Sequence, residues 1–305
     1  MAKDSVRTDQ DAEPQAAGAG VSISEPAETP RLVALDLDGV VWRGSEVLPG
    51  AKEALEDALR RGLDLRYVSN NSTAHRQTVS ERLEAAALPA GVDRVFTSGF
   101  ACGSWLKQRA AEGSPVMVVG EQGLVRELRE AGFDAFHVME TRERPGKPEQ
   151  VAAAVVVGMD RTFTYQSLAA AQAALGEGAL FLATNTDATF PTPDGLAPGA
   201  GSLVAAVAAA AECEPTLVGK PGLALAETLA TVTGIPASET LFVGDRLSTD
   251  IAMAKEAGMV AALTLTGVTT DEDLWRAEIT GEWILPDHVL DSLADLPGLL
   301  DQLGA

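Results

Sequence analysis

Leu32-Val33-Ala34-Leu35-Asp36-Leu37-Asp38-Gly39 is the stretch that decides the fold. Four apolar residues in succession, with no polar alternation, predict a short strand buried on both faces, the kind found inside a parallel sheet. The run ends on two aspartates two positions apart. The period of the pleat puts both carboxylates on one side, and Gly39 lets the chain turn tightly behind them. Two close carboxylates repel and call for a cation, although a turn with Asx-type hydrogen bonds accounts for the same residues.

Downstream, Pro49-Gly50 opens a helical pattern through Arg61 that Gly62 closes, and Leu63 to Val68 follows as the next strand, completing a β-α-β unit. Strand-like runs recur at Val116 to Val119, Ala153 to Val157, Leu180 to Ala183, Leu241 to Val243 and Val260 to Leu265, with helical patterns between most of them. Such alternation predicts an α/β protein with a mostly parallel sheet. Functional groups then collect beyond the carboxyl ends of the strands. Upstream, residues 1–30 are rich in Ala, Gly, Glu and Pro, with too little apolar surface to offset ordering entropy, and are expected to stay unstructured.

The 305 residues carry 23 Lys plus Arg against 44 Asp plus Glu, a net charge of −21. That balance repels nucleic acid and anionic membrane, and the chain contains no basic patch to override it. An anionic substrate meets the same repulsion, so its site needs its own positive charge from a metal ion or a focused lysine. The two cysteines, Cys102 and Cys213, lack metal-ligand spacing and fit a reducing compartment. The apolar stretches are too short to span a bilayer, and the N-terminus lacks a signal pattern, so a cytoplasmic location is expected. Homo-oligomerisation is left open.

Residues that follow the strands carry the chemistry. Ser69-Asn70-Asn71-Ser72 leads into a helical pattern from Ala74 to Ala86, and its hydroxyl, amides and helix N–H groups suit phosphate oxygens. Capping of that helix by Ser72 or Asn71 is an alternative use. Lys220 precedes a helical stretch from Gly222 to Val232 and can give its charge to a phosphate, or be an ordinary surface lysine. It does not belong to a phosphate-binding P-loop, because position 214 is Glu and Pro221 stands where Ser or Thr would follow. Leu241 to Val243 run into Gly244-Asp245 and on to Asp250. Asp245 holds the same strand-end place as Asp36 and could complete an oxygen site for Mg²⁺, while Asp250 also suits a helix N-terminus. Gly199-Ala200-Gly201 reads as a helix start, because Val204 replaces the third glycine of a dinucleotide fingerprint. His75, His137 and His288 show no metal spacing and are expected to pack.

The order of these signals, Asp-x-Asp, then Ser-Asn, then Lys far downstream, then Gly-Asp-x-x-x-x-Asp, resembles the haloacid dehalogenase superfamily. More narrowly, Asp36-Leu37-Asp38-Gly39-Val40, Ser69-Asn70-Asn71-Ser72, Ala183-Thr184-Asn185-Thr186-Asp187, Pro198-Gly199-Ala200-Gly201-Ser202 and Gly244-Asp245-Arg246-Leu247 are similar to subclass IIA, the NagD-like and nitrophenyl-phosphatase-like group. Ser248 departs from the acidic residue that many members carry there. The resemblance implies a doubly wound, Rossmann-like core with an α/β cap inserted between the second and third motifs. About 150 residues separate Ser69 from Lys220, far more than one crossover needs, which agrees. The expected division is a core of 31–113 and 214–305 with a cap of 114–213.

The implied activity is Mg²⁺-dependent hydrolysis of small-metabolite phosphomonoesters, with glycerol 3-phosphate and 2-phosphoglycolate as leading substrates. Asp36 is the expected nucleophile and Asp38 the general acid and base. The side chains of Asp36 and Asp245 hold the metal and, as the resemblance implies, so does the backbone carbonyl of Asp38. Asp250 orients that shell from behind. Ser69, groups near Asn70 and Asn71, and Lys220 hold phosphate, while Asn185 and Asp187 face the leaving group or form a plain Asx turn. A phosphomutase or phosphotransferase, and a non-catalytic Mg²⁺ and phosphate sensor, are the competing readings. Release of phosphate without an acceptor separates the first, and turnover the second.

Overall fold

The structure is a computed structural model that describes residues 29–142, 152–192 and 195–305. Most of the expected unstructured tail, residues 1–28, lies outside the described residues. Among them, a six-stranded parallel sheet runs in the order His288–Leu290, Val260–Thr264, Thr240–Gly244, Leu32–Leu35, Asp64–Ser69, Val95–Thr97. The Leu32–Leu35 strand is central, and all four residues are buried as their unbroken apolar character requires. Its pleat feeds two cores. Leu32 and Ala34 pack with the helices Ser98–Lys107 and Ala224–Thr233, whereas Val33 and Leu35 pack with Ala51–Arg60, Arg76–Ala85 and the C-terminal helix Leu296–Gln302. The sheet is therefore doubly wound, as expected.

The chain leaves the central strand toward Asp64–Ser69 and returns on its other side as Thr240–Gly244. Strand order reverses at that junction, where the crevice of such a sheet opens. Asp36 and Asp245 stand at the ends of the two adjoining strands, at its floor, and the Asp36 N–H donates to the Val243 carbonyl across the junction at 2.9 Å. Gly39 adopts φ +91°, and a Cβ there would sit 2.5 Å from Asp245 Oδ2. The glycine is needed both for the turn and for the approach of that carboxylate.

A second, five-stranded sheet runs Thr216–Leu217, Leu180–Ala183, Ala154–Val157, Pro115–Val119, Asp134–His137, also parallel throughout. Met117, Val155 and Phe181 on one face pack against the helices Tyr165–Gly176 and Ala200–Ala211. On the other face, Val116, Val118 and Val156 join the apolar cluster of the first sheet through the helices Ser98–Lys107 and Gln122–Glu130. The helix start at Gly199 is observed, with Gly199 as the N-cap. Among the described residues no helix is long and apolar enough to cross a membrane.

Candidate active site

The floor of the crevice is a buried charge cluster gathered from two strand ends and the turns beside them. One carboxylate oxygen from each of Asp36, Asp245 and Asp250 lies within 4.8 Å of the others. Lys220 stands among them, its Nζ 2.5 Å from Asp36 Oδ1 and 2.7 Å from Asp250 Oδ1, with a further hydrogen bond to the Val68 carbonyl at 3.2 Å. At 3% exposure Lys220 is no surface lysine. Asp250 arises from a single π-helical turn, Leu247–Ile251, and does more than face a helix dipole. Its Oδ2 accepts the N–H groups of Asp245 and Arg246 at 3.2 and 3.1 Å, which closes the loop on itself. Asp245 Oδ2 accepts the Val268 N–H at 2.7 Å.

The electrostatics follow from burial. Desolvation pushes the Asp36 carboxyl up to about 8, against the pull of Lys220 and with Asp250 and Asp245 adding to the rise. Desolvation also pushes Asp245 up to about 6, with Asp250 contributing. Burial disfavours the Lys220 ammonium, but Asp250 and Asp36 outweigh it and hold the group above its ordinary range. One lysine charge thus leaves three clustered carboxylates under-compensated.

Asp38 is set beside this cluster by an aromatic neighbour. The Trp42 indole Nε1 donates to Asp38 Oδ1 at 2.9 Å, and the Arg82 guanidinium stacks 3.8 Å over the Trp42 ring. Burial raises the Asp38 carboxyl above its ordinary value, while Arg82 and the indole hydrogen bond oppose the rise. Neither Trp42 nor Arg82 was expected from the sequence. Trp42 lies only four positions beyond Asp38, on a short hairpin with Glu46–Val47, and that spacing was the available signal.

The segment Ser69 to Ser72 is used differently at each position. Asn70 spends its whole side chain on the Lys220 backbone: Oδ1 accepts the Lys220 N–H at 2.7 Å, and Nδ2 donates to the Lys220 carbonyl at 2.9 Å. Its own carbonyl accepts Ser98 Oγ at 3.0 Å and Asn185 Nδ2 at 3.2 Å. Ser69 Oγ accepts the Asn71 N–H, and Asn71 Oδ1 accepts both the N–H and the hydroxyl of Thr73. The following helix, Arg76–Ala85, is capped by neither Ser72 nor Asn71. The His75 ring accepts the Gln77 N–H instead, and Nε2 meets Glu130 at 2.9 Å. Ser72 is drawn to Thr184 of the second sheet, with 3.1 Å between hydroxyls.

A cleft of about 590 Å³ opens above the floor and is lined by Asp36, Asp38, Ser69, Asn70, Asn71, Lys220, Asp245 and Asp250 together with Met159, Arg161, Asn185, Asp187 and Phe190. All ten residues singled out from the sequence thus lie on one cavity. Asn185 Oδ1 accepts the Asp187 N–H in an Asx turn, so the turn and the cleft position coexist. Asp187 also pairs with Arg246 at 3.1 Å, which ties the two walls of the cleft together. Arg43, Arg161 and Arg246, which line the cleft as well, had not been singled out.

With this geometry in hand, comparison places the chain among known proteins. Residues 33–134 match the family described as Haloacid dehalogenase-like hydrolase, and residues 217–296 match a second, HAD-hydrolase-like family. Glycerol-3-phosphate phosphatase of Gallus gallus is 37% identical over 283 residues, covering 87% of this chain and 91% of the relative. A 5′-nucleotidase of Bacillus subtilis is 34% identical over 86% of this chain and 95% of its own length. Among solved structures, the glycerol phosphate phosphatase of Mycobacterium tuberculosis in complex with magnesium is 31% identical with a TM-score of 0.77, covering 90% of this chain and 79% of that one.

Proposed function

The chain is a phosphatase belonging to the haloacid dehalogenase-like hydrolases, subclass IIA, and on that premise we propose that it hydrolyses small-metabolite phosphomonoesters through an aspartyl phosphate on Asp36. The observation that carries the reading is the convergence of Asp36, Asp245 and Asp250 around Lys220 at the base of the cleft. Three carboxylates with two raised pKa values and a single ammonium form a hard-oxygen set that suits Mg²⁺. Asp36 and Asp245 would hold the ion, with the Asp38 carbonyl beside them and Asp250 behind. Bound there, it supplies positive charge that offsets nucleophile–phosphate repulsion and stabilises the transferring oxygens.

The protein's own groups divide the remaining work. Lys220, the Ser69 hydroxyl and backbone groups about Asn71 hold phosphate oxygens. A carboxylate oxygen of Asp36 attacks phosphorus as the ester P–O bond breaks, and Asp38, oriented by Trp42, gives its proton to the departing alkoxide. Asp38 then takes a proton from the water that attacks the aspartyl phosphate, and phosphate leaves with the Asp36 carboxylate restored. Asn70 serves by fixing the backbone of Lys220, not by touching phosphate with its side chain.

The second sheet, with its edge strand Thr216–Leu217 beyond the expected boundary at 213, acts in this reading as a cap whose loops, bearing Met159, Arg161, Asn185 and Asp187, roof the cleft and favour small leaving groups over phosphoproteins. Glycerol 3-phosphate and 2-phosphoglycolate are the leading candidates. The test is phosphate release from a panel of metabolite phosphates after chelation, with and without added Mg²⁺ and with no acceptor present. Release that depends on Mg²⁺ is expected. Absence of release from every ester would overturn the reading, and release only with an added acceptor would replace it with phosphotransfer.

A further inference from the structure

Beyond the floor group of Asp36, Asp38, Lys220, Asp245 and Asp250, the remaining charged residues of the cleft lining are Arg43, Arg161, Arg246 and Asp187. Outside the floor, then, three cations face one carboxylate, although the lining as a whole holds five aspartates against three arginines and Lys220. In a chain of net charge −21 this local excess runs against composition, and it draws on three separate segments. Arg43 follows Trp42 in the hairpin after Asp38, Arg161 lies in the loop beyond the Ala154–Val157 strand, and Arg246 adjoins Asp245.

Their present partners leave capacity for a ligand. Arg43 is exposed and donates to the Thr266 carbonyl, an uncharged partner. Arg161, whose side chain is 58% exposed, pairs with Glu121, which is not part of the lining, and its guanidinium lies 5.8 Å from the centroid of the Phe190 ring. An exposed pair of this kind is weak and easily shared. Arg246 already carries a carboxylate, that of Asp187, and so displays within the cleft the pairing that a ligand could make with its neighbours. A guanidinium offers a planar fork of donors that matches two carboxylate oxygens.

We propose that this wall selects the leaving group by charge: the preferred substrates are small phosphomonoesters whose leaving group carries a carboxylate, bound by Arg161 and Arg43. The inference rests on the phosphatase reading above and decides between its two candidates, favouring 2-phosphoglycolate over glycerol 3-phosphate. Phosphate is held at the floor in either case. The wall adds a contact that a neutral diol cannot return, and rejection of a ligand lacking such a partner is the stronger kind of discrimination.

The experiment compares two substrates matched in shape, 2-phosphoglycolate and its carboxamide, by kcat/KM for phosphate release in the Mg²⁺-supplied enzyme. The carboxylate is expected to be preferred by about tenfold or more, the worth of one charged hydrogen-bonded contact. In Arg161→Met, and further in the double variant with Arg43→Met, the preference should fall below about threefold, with Arg161→Lys intermediate. A ratio near one in the wild type, with phosphate released from both esters, would overturn the selection by charge and leave the phosphatase reading intact. Release from neither ester or any other phosphomonoester would sink both. A preference that survives the double variant would remove these arginines from the role. The wild-type ratio stands even if a variant fails to fold.

Discussion

Two charged groupings face the same cleft, and they differ most in their access to water. Lys220 with Asp36 and Asp250 lies at the floor, where the three side chains are 3, 12 and 2% exposed. Arg246 with Asp187 lies at the wall, at 34 and 30%. Removing one partner from a buried cluster strands the other charges and costs about 3–5 kcal/mol, whereas an exposed pair contributes about 0–1 kcal/mol. At the floor, Asp36 and Asp245 follow directly on strands of the closed apolar core and Asp250 is fixed by two backbone N–H groups, whereas Asp187 at the wall sits on a loop. The floor is therefore fitted to hold one geometry for chemistry, and the wall can vary with the leaving group.

The largest expected break is at the nucleophile. Asp36→Asn should lower turnover by about 10³-fold or more, because a carboxamide cannot form the acyl phosphate. Its oxygen still accepts from Lys220, so the fold should persist, as circular dichroism and thermal unfolding would show. Folded variant protein retaining a tenth of wild-type activity would take Asp36 out of its role.

Next is the dependence of stability on pH and metal, to which the floor carboxyls should contribute most. Asp36 rises from 3.8 to about 8 and Asp245 from 3.8 to about 6 in the folded chain. Between the unfolded and folded values the folded state binds more protons than the unfolded one, so stability contributed by protonated carboxyls is present at low pH and lost as pH rises. Metal-free protein should accordingly lose melting temperature from pH 5 toward pH 8, and Mg²⁺ should restore more at pH 8 than at pH 5. A melting temperature that climbs over that interval without metal, or an equal Mg²⁺ increment at both values, would contradict the cluster as described.

How far the floor could be read from the sequence depends on how local its signals are. The Leu32 to Leu35 run is buried on both faces and announces itself, as do the strand-end aspartates Asp36 and Asp245. Strands of two or three residues, such as Thr216–Leu217, Val95–Thr97 and His288–Leu290, are too short for periodicity to register and were not anticipated. Burial of Lys220 runs against the usual exposure of lysine and is settled by carboxylates far away in sequence. The Asn70 pairing spans 150 positions, and the Arg76 helix starts late enough that His75, not Ser72 or Asn71, stands at its cap. Of the wall arginines, Arg43 ends a two-residue strand and Arg161 and Arg246 sit in loops, settings in which the chain carries no pattern to mark them.

Asn70 links floor to wall, and its loss should be intermediate. Asn70→Ala removes both contacts to the Lys220 backbone, and a neighbour shows how closely that junction is packed: a Cβ at Gly219 would stand 2.6 Å from Asn70 Oδ1. Two buried hydrogen bonds at about 1 kcal/mol each predict a fall in kcat/KM of about ten- to thirtyfold. Asn70→Asp keeps one acceptor for the Lys220 N–H and should fall less in kcat than the alanine variant at pH 7. Equal losses in the two variants would show that the amide's pairing is not what positions the lysine.

The smallest effects belong to the wall pair, and their signs carry the information. Neither Asp187→Asn nor Arg246→Met should change stability by more than about 1 kcal/mol, a shift of a few degrees at most in a chain of this size. Their effects on an anionic leaving group should oppose each other. Asp187→Asn removes the one carboxylate among the wall charges and frees Arg246, so KM for 2-phosphoglycolate should fall, whereas Arg246→Met leaves Asp187 unpaired against the incoming charge and should raise it. With the carboxamide substrate both shifts should shrink toward nothing. The double variant tests the pairing itself, since residues in one ion pair give a coupling energy that independent residues do not. If both single variants raise KM alike and do so equally for the charged and neutral substrates, the pair is acting as a strut between the walls, and the contrast between a fixed floor and a charge-selecting wall fails on the wall's side.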